Sequence, residues 1–228
     1  MTQTLTLHYA PDNASLCVRL ALEELGLPYR TVLVDRAAQG QKAPAFLALN
    51  PNGLIPVLET AQGPVFETGA ILLWLADTHA GLMPAPHDPS RAHALQWLVW
   101  LANTLHATER MLFYPDQYVA DDTGGLRAGA RRRVTAQLDL LENAAYADWL
   151  NADGPSAQGC YLGPLLRWPA LYGGPTDWFD LARWPRLLGF ARRFEQRPAA
   201  QRAAAAEGLG TTPFSAPTPC NPPEGSAI

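Results

Sequence analysis

NPNGLIPVLET, residues 50 to 60, contains a contradiction. Its first half reads as a turn, since proline presets one φ while asparagine and glycine tolerate the left-handed one. Its second half alternates like a strand, yet Pro56 stands where that strand should begin hydrogen-bonding, and proline has no N–H to give. In a strand a proline is expected at an edge, at the first residue or at a bulge. The backbone here is therefore open to something other than a neighbouring strand.

Working outward, LTLHY (5–9) alternates as a strand, SLCVRLALEELG (15–26) repeats apolar residues at helical spacing and stops at Gly26, and YRTVLV (29–34) is a strand again. That is a βαβ unit. PAFLALN (44–50) reads as a short helix, PVLET and PVFE as a hairpin across AQG, and TGAILLWLADTHAG (68–81) as a helix closing at Gly81. After GLMPAPHDP (81–89) the strand signals vanish, and helices are expected near 89–117, 125–150, 156–171, 181–195 and 198–206. The Pro, Gly and Ser-rich stretch from 207 should be mostly irregular. The expected organisation is an α/β domain over 1–80, a linker over 81–88 and an all-helical domain with an irregular tail over 89–228.

The 228 residues, 48% of them hydrophobic, can bury one large core or two smaller ones. MTQTLTLHYA lacks a basic region followed by an apolar one, and no apolar run approaches the roughly 18 residues of a membrane span, so a soluble, unexported protein with no membrane partner is expected. Cys17, Cys160 and Cys220 lie far apart and form no CxxC, which argues against a disulfide framework or a zinc site and fits a reducing cytoplasm. Net charge is −4, and the one basic cluster, Arg131 to Arg133, has no interleaved aromatics, so no nucleic acid is expected as a partner.

The order βαβ, short helix, ββα and then helices alone resembles the cytosolic glutathione transferase family, with features similar to its phi, zeta, beta and nu types. YAP (9–11), LALEELGLPY (20–29), QKAPAFLALNPNGLIPVLE (41–59), FETGAILLWLAD (66–77) and EGLG (207–210) carry the resemblance over nearly the whole chain. It implies a thioredoxin-like N-terminal domain, an all-α C-terminal domain, glutathione as co-substrate, an apolar electrophile as second substrate, no metal, and a two-fold homodimer. It also implies that Pro56 is cis and that the Ile55 backbone pairs with the cysteinyl part of glutathione like an added strand. Glu67 and Thr68 match the family's pair for the γ-glutamyl group. Helix N-terminal N–H groups and a hydroxyl can hold a carboxylate while Glu67 pairs the ammonium, although plain helix capping accounts for the same residue types. Lys42, the single lysine among 17 basic residues, matches a phi-type lysine that grips the glycyl carboxylate.

The catalytic position departs from the pattern. Making a thiol of reference pKa ~8.5 a thiolate at neutral pH takes ~2.7 kcal/mol, more than the ~0.3–1 kcal/mol of a helix N-terminus, so a donor side chain is wanted. The family supplies Ser, Tyr or Cys in the loop before the first helix, which here runs from Tyr9 to Ser15. Its serine position falls on Asp12 and its cysteine position on Ala14, leaving the Asn13 amide, similar to an asparagine of the nu type, and the Ser15 hydroxyl as candidates beside Tyr9. For the second substrate, Asn103, His106 and Arg110 recur on one helical stripe with Tyr114 a turn beyond, polar anchors for an acidic or carbonyl group or simply a solvated face. SAQG (156–159) lacks the acid of the family's capping box, which predicts a weaker hinge at that helix, with Trp168, Trp178 and Trp184 packing over it. The expected activity is attack by a bound glutathione thiolate on an electrophilic small molecule. A glutathione-dependent disulfide reductase or peroxidase, and a non-catalytic glutathione-binding module, stand as alternatives.

Overall fold

A computed structural model describes residues 4–227, so the first residues of the stretch read for an export signal lie outside the described range. β1 (Leu5–Tyr9), α1 (Ser15–Leu25) and β2 (Tyr29–Leu33) form the βαβ unit, with β1 and β2 parallel and Tyr9 opposite Leu33. α1 stops where it should: Gly26 takes φ 62, and the Leu27 N–H reaches back to the Leu22 carbonyl at 3.1 Å. β3 (Val57–Thr60) pairs antiparallel with β1 and with β4 (Gly63–Phe66), giving the sheet order β2-β1-β3-β4. α2 (Pro44–Leu47) sets Phe46 against Val34 and Val57, while α1 and α3 (Thr68–Thr78) pack with Leu7 and Leu58. Alternation along β3 puts Val57 and Leu58 on opposite faces, so both sides of the sheet are covered. This is the thioredoxin-like arrangement.

The rest is helical. α4 (Arg91–Trp100), a π turn over Leu101–Leu105 and α5 (His106–Phe113) follow one another without a break. α6 (Thr123–Glu142), α7 (Ala157–Arg167), α8 (Pro185–Glu195) and α9 (Pro198–Glu207) complete it. One apolar core joins Leu7, Leu20 and Leu72 to Leu105, Leu138 and Leu165. No helix among the described residues is long and apolar enough to cross a membrane.

Three expectations are corrected. α6 ends at Glu142 and not near 150, because the Asn143 amide turns back to the Asp139 carbonyl at 2.8 Å and Tyr146 takes φ 57. α8 begins at Pro185 and not at 181, since the Asp180 carboxylate caps a separate short turn by accepting the Ala182 N–H at 2.9 Å. The weak hinge at α7 is absent: every residue of α7 is buried, and Ser156 still accepts the Gly159 N–H at 3.0 Å. A Cβ on Gly159 would lie 2.9 Å from the Ser156 hydroxyl, so the glycine makes room for the cap. Trp168 and Trp184 share the apolar core with α7 and Trp178 packs against it, while the indole N–H groups of Trp168 and Trp184 donate to Asp12 and Asp139.

The chain beyond α9 is irregular, as its composition predicts, but it is held down. Glu195 accepts the Phe214 and Ser215 N–H groups at 3.2 and 3.0 Å and the Ser215 hydroxyl at 2.6 Å, and Phe214 is fully buried. From there the tail returns to the β1–α1 loop.

Candidate active site

Because β1 and β2 are parallel, their C-terminal ends open on the same edge of the sheet. The loops leaving them carry Asn13 and Arg36, which meet there with Arg36 Nη1 donating to Asn13 Oδ1 at 2.9 Å. A cavity of about 660 Å³ lies at this edge. Asn13, Arg36, Lys42 and Ile55 wall it from the sheet side, and His106, Arg110 and Tyr114 from the helical side.

The NPNG turn shapes the first wall. Gly53 takes φ 62, and a Cβ there would lie 2.9 Å from the Gln41 carbonyl and 3.0 Å from Lys42 Nζ, so only glycine lets the lysine fold over the turn. The Ile55–Pro56 peptide is cis and β3 starts only at Val57. Among the described residues the Ile55 N–H and C=O have no hydrogen-bond partner. Gln41 Oε1 is likewise buried without one. These are open donors and acceptors of the kind a peptide uses.

Glu67, Thr68 and Pro56 are not on the cavity wall. Glu67 is exposed, holds φ 71 and precedes an α3 whose first turn has no side-chain cap. A non-glycine residue at such a φ costs roughly 1–3 kcal/mol, which marks this helix start as constrained. The Thr68 hydroxyl is buried and bears on the Tyr161 phenol, so what Thr68 offers a ligand is its backbone N–H.

Two catalytic candidates have their hydroxyls engaged within the fold. The Tyr9 hydroxyl donates to Glu224 and stands outside the cavity wall, with burial and then the Glu224 carboxylate holding its proton on. The Ser15 hydroxyl is fully buried, donating to the Ala10 carbonyl at 3.0 Å and accepting the Ala10 N–H at 3.3 Å; it fastens the loop. Asn13 is different. Its amide nitrogen donates to the Pro11 carbonyl at 2.8 Å and to the Ala227 carbonyl at 3.0 Å, and Arg36 Nη1 donates to that same Ala227 oxygen at 2.7 Å. A guanidinium can only donate, so its bond to Asn13 fixes which end of the amide is oxygen and leaves the nitrogen to the Pro11 and Ala227 carbonyls.

Asp12, one residue earlier, points the other way. It holds φ 52, and its carboxylate receives Arg167 Nε and Nη2 at 2.8 Å each, Trp168 Nε1 at 2.9 Å and the Tyr172 hydroxyl at 2.5 Å. Its own N–H goes to Glu207, which also accepts Arg19 Nε, both at 2.7 Å. The aspartate at the family's serine position is thus neutralised and turned from any sulfur.

On the helical wall, burial and then the Arg110 charge push His106 down to about 4, so it is neutral. Burial keeps the proton on Tyr161, whose hydroxyl is hydrogen-bonded to His106 Nδ1 at 2.9 Å. Arg110 and Arg36 lie 5.6 and 5.7 Å from the Tyr114 ring. Asn103, expected on the same stripe, is exposed and receives the Thr104 hydroxyl at 2.9 Å; the π turn adds backbone per turn and rotates it off the wall.

A family model for the glutathione S-transferase N-terminal domain matches residues 14–78. The chain is similar to the disulfide-bond oxidoreductase YfcG of Escherichia coli (strain K12), 30% identical over 90% of this chain and 96% of that one. It is also 30% identical to glutathione S-transferase GST-4.5 of Xanthomonas campestris over 89% of this chain and 98% of the other. The chain belongs to the glutathione S-transferase family. A sphingomonad glutathione S-transferase solved in complex with glutathione superposes on this family member with a TM-score of 0.74 and 33% identity, covering 90% of this chain and all of that one. Between Asp12 and Ala14, onto which the family's serine and cysteine positions fall, stands Asn13, whose amide oxygen accepts Arg36 Nη1 at 2.9 Å. Sequence reasoning missed Arg36, Tyr172 and the tail; parallel pairing of two strands, which puts the residues following each at one edge, is the signal that points to Arg36.

Proposed function

We propose that this protein is a glutathione transferase in which Asn13, not a serine, tyrosine or cysteine, meets the sulfur. The observation that carries the reading is the Asn13 amide, held by Arg36 and bonded to Ala227 on the wall of a cavity that the unpaired Ile55 backbone and Lys42 also line. The cysteinyl backbone of glutathione pairs with Ile55 as an added strand, Lys42 takes the glycyl carboxylate, and the α3 N-terminus with Glu67 takes the γ-glutamyl end. The thiolate takes the place of the Ala227 carbonyl oxygen. A hydrogen bond to a charged group is worth ~1.5–3 kcal/mol, which covers most of the ~2.7 kcal/mol that two pKa units require, and the Arg36 charge adds to it. The thiolate then attacks an electrophile resting against Phe113 and Tyr114.

The name of the Escherichia coli relative favours a second reading, a disulfide reductase. Cys17 and Cys160 are buried with their thiols pushed up by burial, so disulfide exchange here would use a second glutathione in the electrophile's place. The three free cysteines support a cytosolic setting, and the reading includes a two-fold homodimer, which light scattering at micromolar protein tests. Calorimetry tests the whole: glutathione binds, and Glu67→Ala weakens binding about tenfold or more, the loss of one partner of a charged pair. No heat at millimolar glutathione, with no protection against thermal unfolding, removes the transferase reading.

A further inference from the structure

The cavity's charge is one-sided. Arg36, Lys42 and Arg110 stand on its wall, and the one acidic residue lining it, Asp12, has its carboxylate turned to Arg167, Trp168 and Tyr172. On the proposed reading of this site, Lys42 is matched by the glycyl carboxylate and Arg36 by the sulfur. Arg110 is left over. Its recorded contacts are neutral, Gln117 Oε1 at 3.1 Å and the Tyr118 hydroxyl at 3.4 Å, and no carboxylate among the described residues lies within ion-pair distance.

Around Arg110 the wall is flat and aromatic. Phe113 meets Tyr114 and Tyr172 edge to face, at 6.5 and 6.4 Å between ring centroids, and His106 tilts against Trp168 at 5.6 Å. Arg110 is half-buried, and a cation partly screened from water beside aromatic faces attracts an anion more strongly than a fully solvated one does. His106 is neutral and adds no charge to this wall. We infer that the electrophile is a flat, conjugated compound bearing a carboxylate, which Arg110 binds while the compound rests against the Phe113, Tyr114 and Tyr172 rings. This deepens the transferase reading and rests on it.

A matched pair of chloronitroarenes tests it. With 4-chloro-3-nitrobenzoate the glutathione sulfur bonds to the ring carbon bearing chlorine and the displaced electron density passes to the nitro group beside it. Chloride then leaves with its bonding pair, and the thiol proton has gone to the buffer. 4-Chloro-3-nitrobenzamide undergoes the same displacement without the charge. With each kcat/KM divided by the rate of the same compound with glutathione in solution, the wild type favours the benzoate by about tenfold or more, and Arg110→Gln lowers that preference by about tenfold. Arg110→Lys, which keeps the charge, restores part of it, and Arg133→Gln on the exposed face of α6 leaves it unchanged. Equal normalised values for the two compounds, or an undiminished preference in Arg110→Gln, overturn the carboxylate assignment and leave the transferase standing. Acceleration of neither compound removes the transferase reading and this inference with it.

Discussion

Two polar clusters leave the β1–α1 loop from adjacent residues, and they differ in one respect. In the Asp12 cluster every charge is answered: one carboxylate takes four donors, and Arg167 spends its remaining N–H groups on the Pro213 and Thr218 carbonyls at 3.1 and 2.8 Å. In the Asn13 cluster donors exceed acceptors, and the tail's Ala227 carbonyl is shared between two of them. A saturated network holds a fold together; a network with donors to spare is set up for a ligand. The first joins the sheet domain to α7, and the second faces the cavity.

The largest effect should come from breaking the saturated cluster. Asp12→Ala leaves a fully buried guanidinium without its anion, and about 3–5 kcal/mol of stability should be lost in urea unfolding. A loss below about 1 kcal/mol would mean that Asp12 is not the keystone described here. In the open cluster, Asn13→Ala should cost little stability and instead raise the pKa of bound glutathione's thiol by about one to two units, read from thiolate absorbance as pH is scanned. No shift, with an ordinary thiol in the wild type, would favour a non-catalytic binding module.

Glu109 fits neither kind of cluster. It is fully buried, neither oxygen has a partner among the described residues, and burial pushes its carboxyl well up, so it stays protonated. Between the ordinary glutamate value and that raised one, the folded chain binds more protons than the unfolded chain. Its contribution to stability is therefore complete in acid and is lost as pH rises. Glu109→Gln should then gain about 1–3 kcal/mol over the wild type at pH ~8 and lose that gain towards pH ~4, in thermal melts across the range. A gap that does not change with pH would show that the carboxyl is not held protonated.

The smallest effect is expected at the tail. Truncation after Asn221 removes the Ala227 carbonyl from Asn13 and Arg36, and glutathione should bind about 2–10-fold more tightly. Weaker binding would make the tail a part of the site.

How much of this the sequence discloses depends on what each part is made of. The stretch from 41 to 77 is legible because its geometry is written in backbone: Pro56 precedes the ladder, Gly53 permits a close approach, and the α3 start presents N–H groups, all properties of residue type and position. His106, Arg110 and Tyr114 came from helical spacing and do reach the cavity. Asn103 does not, since spacing assumes an unbroken α-helix and Leu101–Leu105 is a π turn. Arg36, and the fates of Tyr9 and Ser15, are set by contacts across the fold, with Tyr9 meeting a residue of the far tail. Neither periodicity nor a local motif carries such a pairing.

The tail's position turns affinity into a comparison. Ala227 belongs to the same molecule as Asn13 and Arg36, so it competes at a fixed local concentration that dilution does not lower, in the millimolar range for short flexible tethers. On the proposed reading, glutathione is measured against that incumbent, and its apparent dissociation constant is the intrinsic one divided by the fraction of time the tail is away. A ligand using only the Asn13 and Arg36 donors would face the competition in full. One that also grips Lys42, Ile55 and the start of α3 holds on while the tail exchanges, so an ordinary backbone carbonyl acts as a threshold that favours whole glutathione over its fragments.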